Sequence, residues 1–470
     1  ELEEFIVIAI HERSMDLSKA RKHDEAIKES MRLVKEFRKK KGFASKALMN
    51  VGVLYERAKD VKNAVKTYER VIKDYKKEPV AAEAQYVIGV IYESQTRFSE
   101  SADAFLKMDK FKKHDKAPDA LTNASLIREA LRDYSGAVEA LNKYLKAYPG
   151  QDNVADVNFR IGLLYERMGD KKNRMKAVKH YQKFASKYKD KYVMKVEAYA
   201  RAGNILRDLD EQDTQDRIDK AKAKKRDITK IGKIFRNRKK ASALFESAIA
   251  EYPLAGQQIM TLRGDVKIAK MVTARHSAAM SSYWLADYVF QDFDKAKIPG
   301  TLRVKILKAA LIEKAELHQS AEQAFDKVLL GPKDAEFIAC AAFRNGLLYY
   351  NFAKELFEVP IPFGLNPEQE DAYRAALEEM GAPIQEKSLI LLEAALKAAH
   401  KKGVYNKCSK EAGIYASKVN PEGYPISDEP EVQPRHVKDT LLSANFVRTL
   451  KRGNIAVDMM KKTQKDVEAK

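Results

Sequence analysis

The chain has 470 residues, with 87 Lys and Arg against 67 Asp and Glu for a formal net charge of +20. That balance favours acidic partners, whether nucleic acid, anionic envelope polymers, lipid head groups or acidic proteins, although on so charged a chain much of it is a solvated helical surface. The only cysteines, Cys340 and Cys408, sit far apart in helical patterns and are expected to be core thiols rather than a bond or a zinc knuckle, and the longest uncharged stretches, such as SAAMSSYWLA from Ser277, fall short of a membrane span.

The chain opens at Glu1 directly in the helical pattern LEEFIVIAI, so a leader or longer N-terminal segment is expected to have been removed. Residues 5–40 form a first helical pair, with Ala26, Ile27, Leu33 and Val34 on its second helix. From Ser45 to Tyr75, apolar residues recur at three- and four-residue spacing through Leu48, Val51, Leu54 and Tyr55. They do so again through Val61, Ala64, Val65, Tyr68, Val71 and Ile72 after a polar break at Lys59-Asp60, so two amphipathic helices joined by a tight turn are predicted. Gly52 inside the first helix costs about 1 kcal/mol relative to Ala, which implies a close approach of the second helix, with Ala64 as its small residue.

This phrase repeats. The helix glycine recurs as Gly52, Gly89, a Ser125 substitute, Gly162 and Gly203, at steps of 37, 36, 37 and 41 residues. Three residues on stand Tyr55, Tyr92, a departure at Arg128, and Tyr165. The second helix carries a small-then-bulky pair: Ala64/Tyr68, Ser101/Phe105, Ala137/Leu141, Ala177/Tyr181 and, after an insertion, Ala241/Phe245. Asp60, Asp133 and Asp170 fall where a carboxylate caps the second helix, and Pro149 and Pro253 are expected to end it. The pattern resembles the tetratricopeptide (TPR) family, a helix-turn-helix repeat. The resemblance is specific over residues 45–185 and readable over about 5–45 and 196–253. It implies an all-α fold, a right-handed TPR-like α-solenoid of about twenty helices, and FRNGLLYY (343–350), echoing FRIGLLYE (159–166), extends degenerate repeats to about residue 358.

The resemblance also implies a site. In TPR proteins the first helices line a concave face, and the position after the Tyr points into it. Here that position is Glu56, Glu93, Glu129 and Glu166, a predicted acidic ladder flanked by Asn50, Asn123, Arg57, Arg160 and Arg167, with Tyr86 and Phe159 supplying apolar contact to a basic or amide-rich extended segment. Binding there would add weak sites along one peptide.

The array is interrupted over 211–240 by a segment that turns strongly basic from Arg217 and delays the next repeat by about 26 residues. Its Lys220, Lys222, Lys224, Lys225, Arg226, Lys230, Lys233, Arg236, Arg238, Lys239 and Lys240 could neutralise phosphates, but Phe235 alone interleaves them, which argues against base stacking. The arm is expected to project and to be helical in part. Beyond it, one or two longer helices are predicted over 255–293, a pair over 302–330, a Pro-rich crossing at 359–369, and helices from 366 or 367 to 380, 384–401 and 405–418.

The closing run NPEQEDAYRAAL (366–377), the EKSLILLEAALKAA helix, Gly403-Val404-Tyr405-Asn406 and Asn420-Pro421-Glu422-Gly423-Tyr424-Pro425 resemble the end of large envelope TPR proteins of delta-proteobacteria, some of gliding-motility machinery. Lys407 and Cys408 stand where that pattern has an acidic residue and Trp. The implied organisation is a repeat array with its charged insertion (1–253), degenerate helical repeats (254–358), a C-terminal helical unit (359–425), and a loop plus terminal helix (426–470).

No phosphate-binding Gly-rich loop, HExxH, paired-cysteine spacing or Gly-x-Ser-x-Gly elbow occurs, and the eight histidines, including His114 and His276, have no obvious partner in sequence. The sequence therefore reads as a non-catalytic interaction scaffold, with no metal, cofactor or small-molecule substrate expected. Its expected partners are other proteins, as extended segments or envelope-complex subunits, in a bacterial envelope, periplasmic setting. The alternative is a nucleic-acid-associated protein using 217–240.

Overall fold

The computed structural model describes residues 2–228, 231–301 and 303–425. Among them are seventeen α-helices and no strand. Eight successive pairs are α1 (Leu2–Lys19) with α2 (His23–Glu36), α3 (Lys41–Arg57) with α4 (Val61–Asp74), α5 (Pro79–Ser94) with α6 (Phe98–Leu106), α7 (Ala117–Ala130) with α8 (Tyr134–Ala147), α9 (Val154–Arg167) with α10 (Lys171–Lys187), α11 (Tyr192–Ala223) with α12 (Arg238–Met260), α13 (Gly264–Lys295) with α14 (Val304–Leu330), and α15 (Ala335–Phe357) with α16 (Pro367–Lys402). α17 (Lys407–Val419) follows. The fold is an all-α TPR solenoid. The chain divides into two compact units, Glu1–Ala412 and Gly413–Lys470. The terminal helix expected after residue 426 lies outside the described residues.

The first five pairs are built by one local device. At the end of the first helix the Asp60 amide donates to Tyr55 O and the Lys59 amide to Glu56 O, the crossed bonds of a Schellman cap, with Lys59 left-handed at φ 59°. The same two bonds close α1 at Arg21, α5 at Thr96 and α7 at Arg132, each with positive φ, and Gly169 takes the position after α9. A non-glycine residue held there is strained, so packing of the two helices imposes the turn. The next residue starts the second helix: the Asp60, Asp133 and Asp170 carboxylates accept from the amides of Asn63, Gly136 and Asn173.

Packing follows from the repeat residues. Ala64, Ser101, Ala137, Ala177 and Ala241 are wholly buried, as are Tyr68, Phe105, Tyr181 and Phe245. What approaches each helix glycine is the ring of the bulky residue rather than the small one: a Cβ on Gly52 would overlap the Tyr68 ring, one on Gly89 would lie 2.5 Å from Phe105 and one on Gly203 2.6 Å from Phe245. The small residue seats against the first helix, where the Ser101 hydroxyl donates to Gly89 O at 2.9 Å. The same lock recurs at α15–α16, where Ser388 donates to Gly346 O at 3.0 Å and Leu392 covers Gly346. The echo at 343–350 thus finds its second helix beyond the Pro-rich crossing.

Several expected boundaries move. Pro253 lies inside α12 and Pro383 inside α16, so neither ends its helix. Beyond Pro253, Ala255 and Ile259 are buried among Val193, Val196, Ala274 and Ala278. Around Pro383, Gly381 lies against the Phe357 ring, and Leu377 and Ser388 are buried. This tertiary packing outweighs the backbone bond that a proline removes. Where a pair was expected over 302–330 there is one helix, α14, from Val304 to Leu330, and the helices expected at 366–380 and 384–401 are one, α16. Cys340 and Cys408 form a disulfide, not the two free core thiols expected, because the α15–α16 hairpin returns the start of α17 to the first turns of α15 across a separation of 68 residues.

Candidate protein-binding face

The first helices of successive pairs touch one another, α1 with α3, α3 with α5, α11 with α13 and α13 with α15. Side chains link the first helices between these, Tyr86 of α5 clustering with Ala120 of α7, Arg160 of α9 reaching Glu129 of α7 and Arg201 of α11 reaching Glu166 of α9, and the four ladder positions lie on α3, α5, α7 and α9. Their environments differ. Glu56 accepts from the Tyr68 hydroxyl. Glu166 accepts from the Tyr181 hydroxyl at 2.9 Å and lies 3.4 Å from Arg201. Glu129 is clamped by Arg160 and Arg167 of the next pair. Burial, followed by the hydrogen bond to Glu56, raises the Tyr68 phenol well above its ordinary range, so the hydroxyl keeps its proton to donate.

The Glu93 carboxylate alone of the four is in no hydrogen bond or ion pair among the described residues. The cause is one substitution, for Phe105 occupies the place of Tyr68 and Tyr181 and brings no hydroxyl. Burial raises the Glu93 carboxyl above the usual range with nothing nearby to offset it. Asp119 in the next first helix is likewise raised, by burial and then by Asp115.

The flanking residues divide in the same way. Asn50 donates to the Ser30 hydroxyl at 3.0 Å and Arg57 to Ser18 at 3.1 Å, so both tie neighbouring pairs together. Asn123 is half-buried. Burial lowers the Arg160 guanidinium even beside Glu129. Tyr86 and Phe159, expected to supply apolar contact to a partner, are core residues: Tyr86 stacks on Phe105 at 5.6 Å and Phe159 lies 5.5 Å from Tyr181 and 5.3 Å from Phe184. Tyr55 packs against the first core cluster, Tyr92 lies under Arg97 at 4.5 Å, and Tyr165 under Lys176 at 5.6 Å. Against Gly162 lies the Tyr181 ring, 2.5 Å from where a Cβ would stand. Arg128, the departure from Tyr, pairs with Asp133 and Asp103.

The basic segment is partly an extension of α11, which continues to Ala223, and partly a return strand of chain fastened to it. Asn237 donates twice to the Asp210 carboxylate at 2.8 Å and the Ile234 amide donates to Thr214 at 2.9 Å. Lys220, Lys222, Lys224, Lys225, Arg226 and Lys233 are exposed, as are Lys239 and Lys240 at the start of α12 and Arg236, which lies 3.9 Å from Asp213. Arg238 is not part of an open basic surface, since it pairs with Asp292 and donates to Tyr288 O at 3.0 Å. Phe235 lies under the Lys295 ammonium at 3.8 Å. Lys230 lies outside the described residues.

Sequence reasoning missed three polar groupings that only folding assembles. Lys314 on α14, 1% exposed, donates to Phe293 O and Ala296 O at 2.7 Å and to Glu355 at 2.8 Å, closing the end of α13. His276 lies 3.3 Å from Asp334 and His114 3.2 Å from Glu83. Among the described residues no three His, Cys, Asp or Glu side chains gather as metal ligands would, and no helix is long and apolar enough to cross a membrane.

Family models described as tetratricopeptide repeat match residues 45–73, 60–115, 119–150 and 156–191. The chain carries tetratricopeptide repeats. Solved structures resemble it at low identity. A chain in the structure of Naa15/Naa10 bound to HypK-THB aligns over 88% of this chain at 13% identity and a TM-score of 0.30, and this chain spans 64% of that one. A tetratricopeptide repeat protein from Parabacteroides merdae aligns over 71% of this chain and 98% of its own at 12% identity and a TM-score of 0.25. The P58(IPK) TPR domain aligns over 95% and 99% at 12% identity and a TM-score of 0.21. No curated protein matches the sequence. The TPR repeats are an interaction scaffold, and the row of first helices is its candidate binding face.

Proposed function

We propose that this TPR scaffold is non-catalytic and holds an extended segment of a partner protein along its first helices, with Glu93 receiving a Lys or Arg side chain of that segment. The observation that carries the reading is the asymmetry of the ladder: three glutamates are committed to tyrosines or arginines of their own chain, and Glu93 is left half-buried without a cation. A basic side chain of a partner would restore the ionised form that burial disfavours.

The proposal keeps the division into a repeat array over 1–253, degenerate repeats over 254–358 and a closing helical unit over 359–425. It assigns the protein to an assembly of a bacterial cell envelope, of motility type, on the resemblance of its closing unit. The Cys340–Cys408 disulfide supports an oxidising, extracytoplasmic setting. Nucleic-acid binding through 217–240 is less favoured, because Phe235 and Arg238 are engaged within the fold.

The test is binding of an array of extended Lys- and Arg-containing peptides to the protein, its Glu93→Lys variant and a Glu69→Lys control on the opposite helix. The reading requires loss in the first variant and little change in the second, with unchanged helicity. Equal losses would mean that net charge alone governs binding.

A further inference from the structure

The excess positive charge is not spread evenly over the repeats. Of the turns inside the first five pairs, three carry an acid, Asp60 beside Lys59, Asp133 beside Arg132 and Asp170, while those at Arg21-Lys22 and Arg97 carry none. The turns between pairs are richer in lysine. Residues 37–40 read Phe-Arg-Lys-Lys, 75–78 Tyr-Lys-Lys-Glu, 111–116 Phe-Lys-Lys-His-Asp-Lys and 188–191 Tyr-Lys-Asp-Lys, while 148–153 is the exception with Asp152 as its only charge. Antiparallel helices in series put every such turn on one edge of the array. Neighbours on that edge are fastened together: the Tyr148 hydroxyl donates to Lys112 O at 3.1 Å, and Gln258 at the end of α12 donates to Asp190 O at 2.7 Å. Lys39, Lys76, Lys77, Lys112, Lys113 and Lys189 are exposed and in no ion pair among the described residues.

The next turn in the series adds apolar side chains. Around Thr261-Leu262-Arg263 and the first two turns of α13, Met260 is 74% exposed, Val266 58% and Ile268 57%, and Met271 and Val272 are exposed beside them. Two helical turns rise about 11 Å, enough for a tip entering end-on to cross the about 5–10 Å of headgroup and acyl boundary in which interfacial apolar side chains bury. Arg263, Lys267 and Lys270 flank these residues, against a single Asp265. We propose that this edge is a docking surface for an anionic lipid membrane: the inter-pair lysines lie over acidic head groups and the α12–α13 tip inserts Met260, Val266 and Ile268 among the upper acyl chains. A polyphosphate strand would satisfy the lysines but leave the apolar tip in water, and so the lipid surface is the partner that answers both features.

The full chain is mixed with vesicles of phosphatidylcholine, with and without about a third phosphatidylglycerol, and bound protein is separated by flotation at low and at about 0.5 M salt. Binding is expected only to the anionic vesicles and is lost at the higher salt. Lys76→Glu with Lys77→Glu, Lys112→Glu and Lys113→Glu should weaken it on the order of tenfold or more, and Met260→Glu with Ile268→Glu should do so with the melting curve unchanged. Met260→Trp supplies a readout that needs no loss of function, because its emission shifts to the blue on anionic vesicles if the tip inserts. Equal binding to neutral vesicles, binding unaffected by the apolar pair, or no spectral shift would overturn the proposal. So would tight binding to a DNA duplex that survives Met260→Glu with Ile268→Glu while vesicles are not bound.

Discussion

Gly162→Ala tests the register of the whole array. In an exposed helix this substitution stabilises by about 1 kcal/mol, because Ala loses less backbone entropy than Gly. At Gly162 the new Cβ would stand 2.5, 2.9 and 3.0 Å from three carbons of the Tyr181 ring. The ring has little room to withdraw: its hydroxyl is bonded to Glu166 at 2.9 Å and its other side packs on Phe159. Overpacking of this kind costs about 1–3 kcal/mol, so the net change is a destabilisation of about 0–2 kcal/mol. The fourth pair supports the argument, for there a side chain, Ser125, occupies the glycine position and the facing residue is Leu141 instead of an aromatic. Tyr181→Leu should therefore rescue Gly162→Ala, giving a double-mutant cycle in urea unfolding followed by circular dichroism with a coupling energy of about 1 kcal/mol or more. If Gly162→Ala raises stability by the full helix-propensity gain, with or without Tyr181→Leu, the ring does not lie over the glycine and the packing described above is wrong.

Glu129→Gln should destabilise the protein by about 1–3 kcal/mol, since it leaves Arg160 beside an amide in a site where both side chains are about 15% exposed; Glu93→Gln should leave the melting temperature unchanged or slightly higher. Lys59→Gly should stabilise by about 1 kcal/mol, measured by urea unfolding, because it removes a left-handed lysine at φ 59°. Reduction of Cys340–Cys408, or Cys408→Ser, should lower unfolding free energy by about 2–4 kcal/mol, and an identical melting curve with and without reductant would refute a contribution from the bond. His276 and Asp334 predict a pH window. The hydrogen bond that His276 donates to the Asp334 carboxylate raises His276, so its stabilisation is complete below the ordinary value of 6.5 and is lost as pH rises through the raised folded value. Burial opposes ionisation of Asp334, but the bond and charge of His276 outweigh it and lower its pKa below 3.8, so its stabilisation is lost as pH falls through that lowered value. The pair should stabilise most between about pH 4 and 6.5, and His276→Gln should lower the melting temperature within that window while flattening its fall with pH on either side of it.

The sequence by itself determined the repeat. Apolar spacing, the glycine and the small-then-bulky pair are local, periodic signals, and an amphipathic helix has few alternatives once its stripe must be buried. The capping aspartates were legible for the same reason, because a carboxylate three residues before an amide acts within one turn. Contacts between repeats were not legible. Whether Glu93 is free or Glu129 clamped depends on which hydroxyl or guanidinium arrives from a helix more than ten residues away, and Tyr86 and Phe159 read as surface until their rings were seen packed on Phe105 and Tyr181. Pro253 and Pro383 carried a true local penalty, yet burial of Ile259, Leu377 and Ser388 kept both helices continuous. The disulfide depended on the length of the α15–α16 hairpin, and the basic edge on antiparallel stacking that gathers turns about 37 residues apart along one side. Pattern fixes an element, since its free energy is local; tertiary structure decides partners, since a side chain's neighbours are set by where the chain returns.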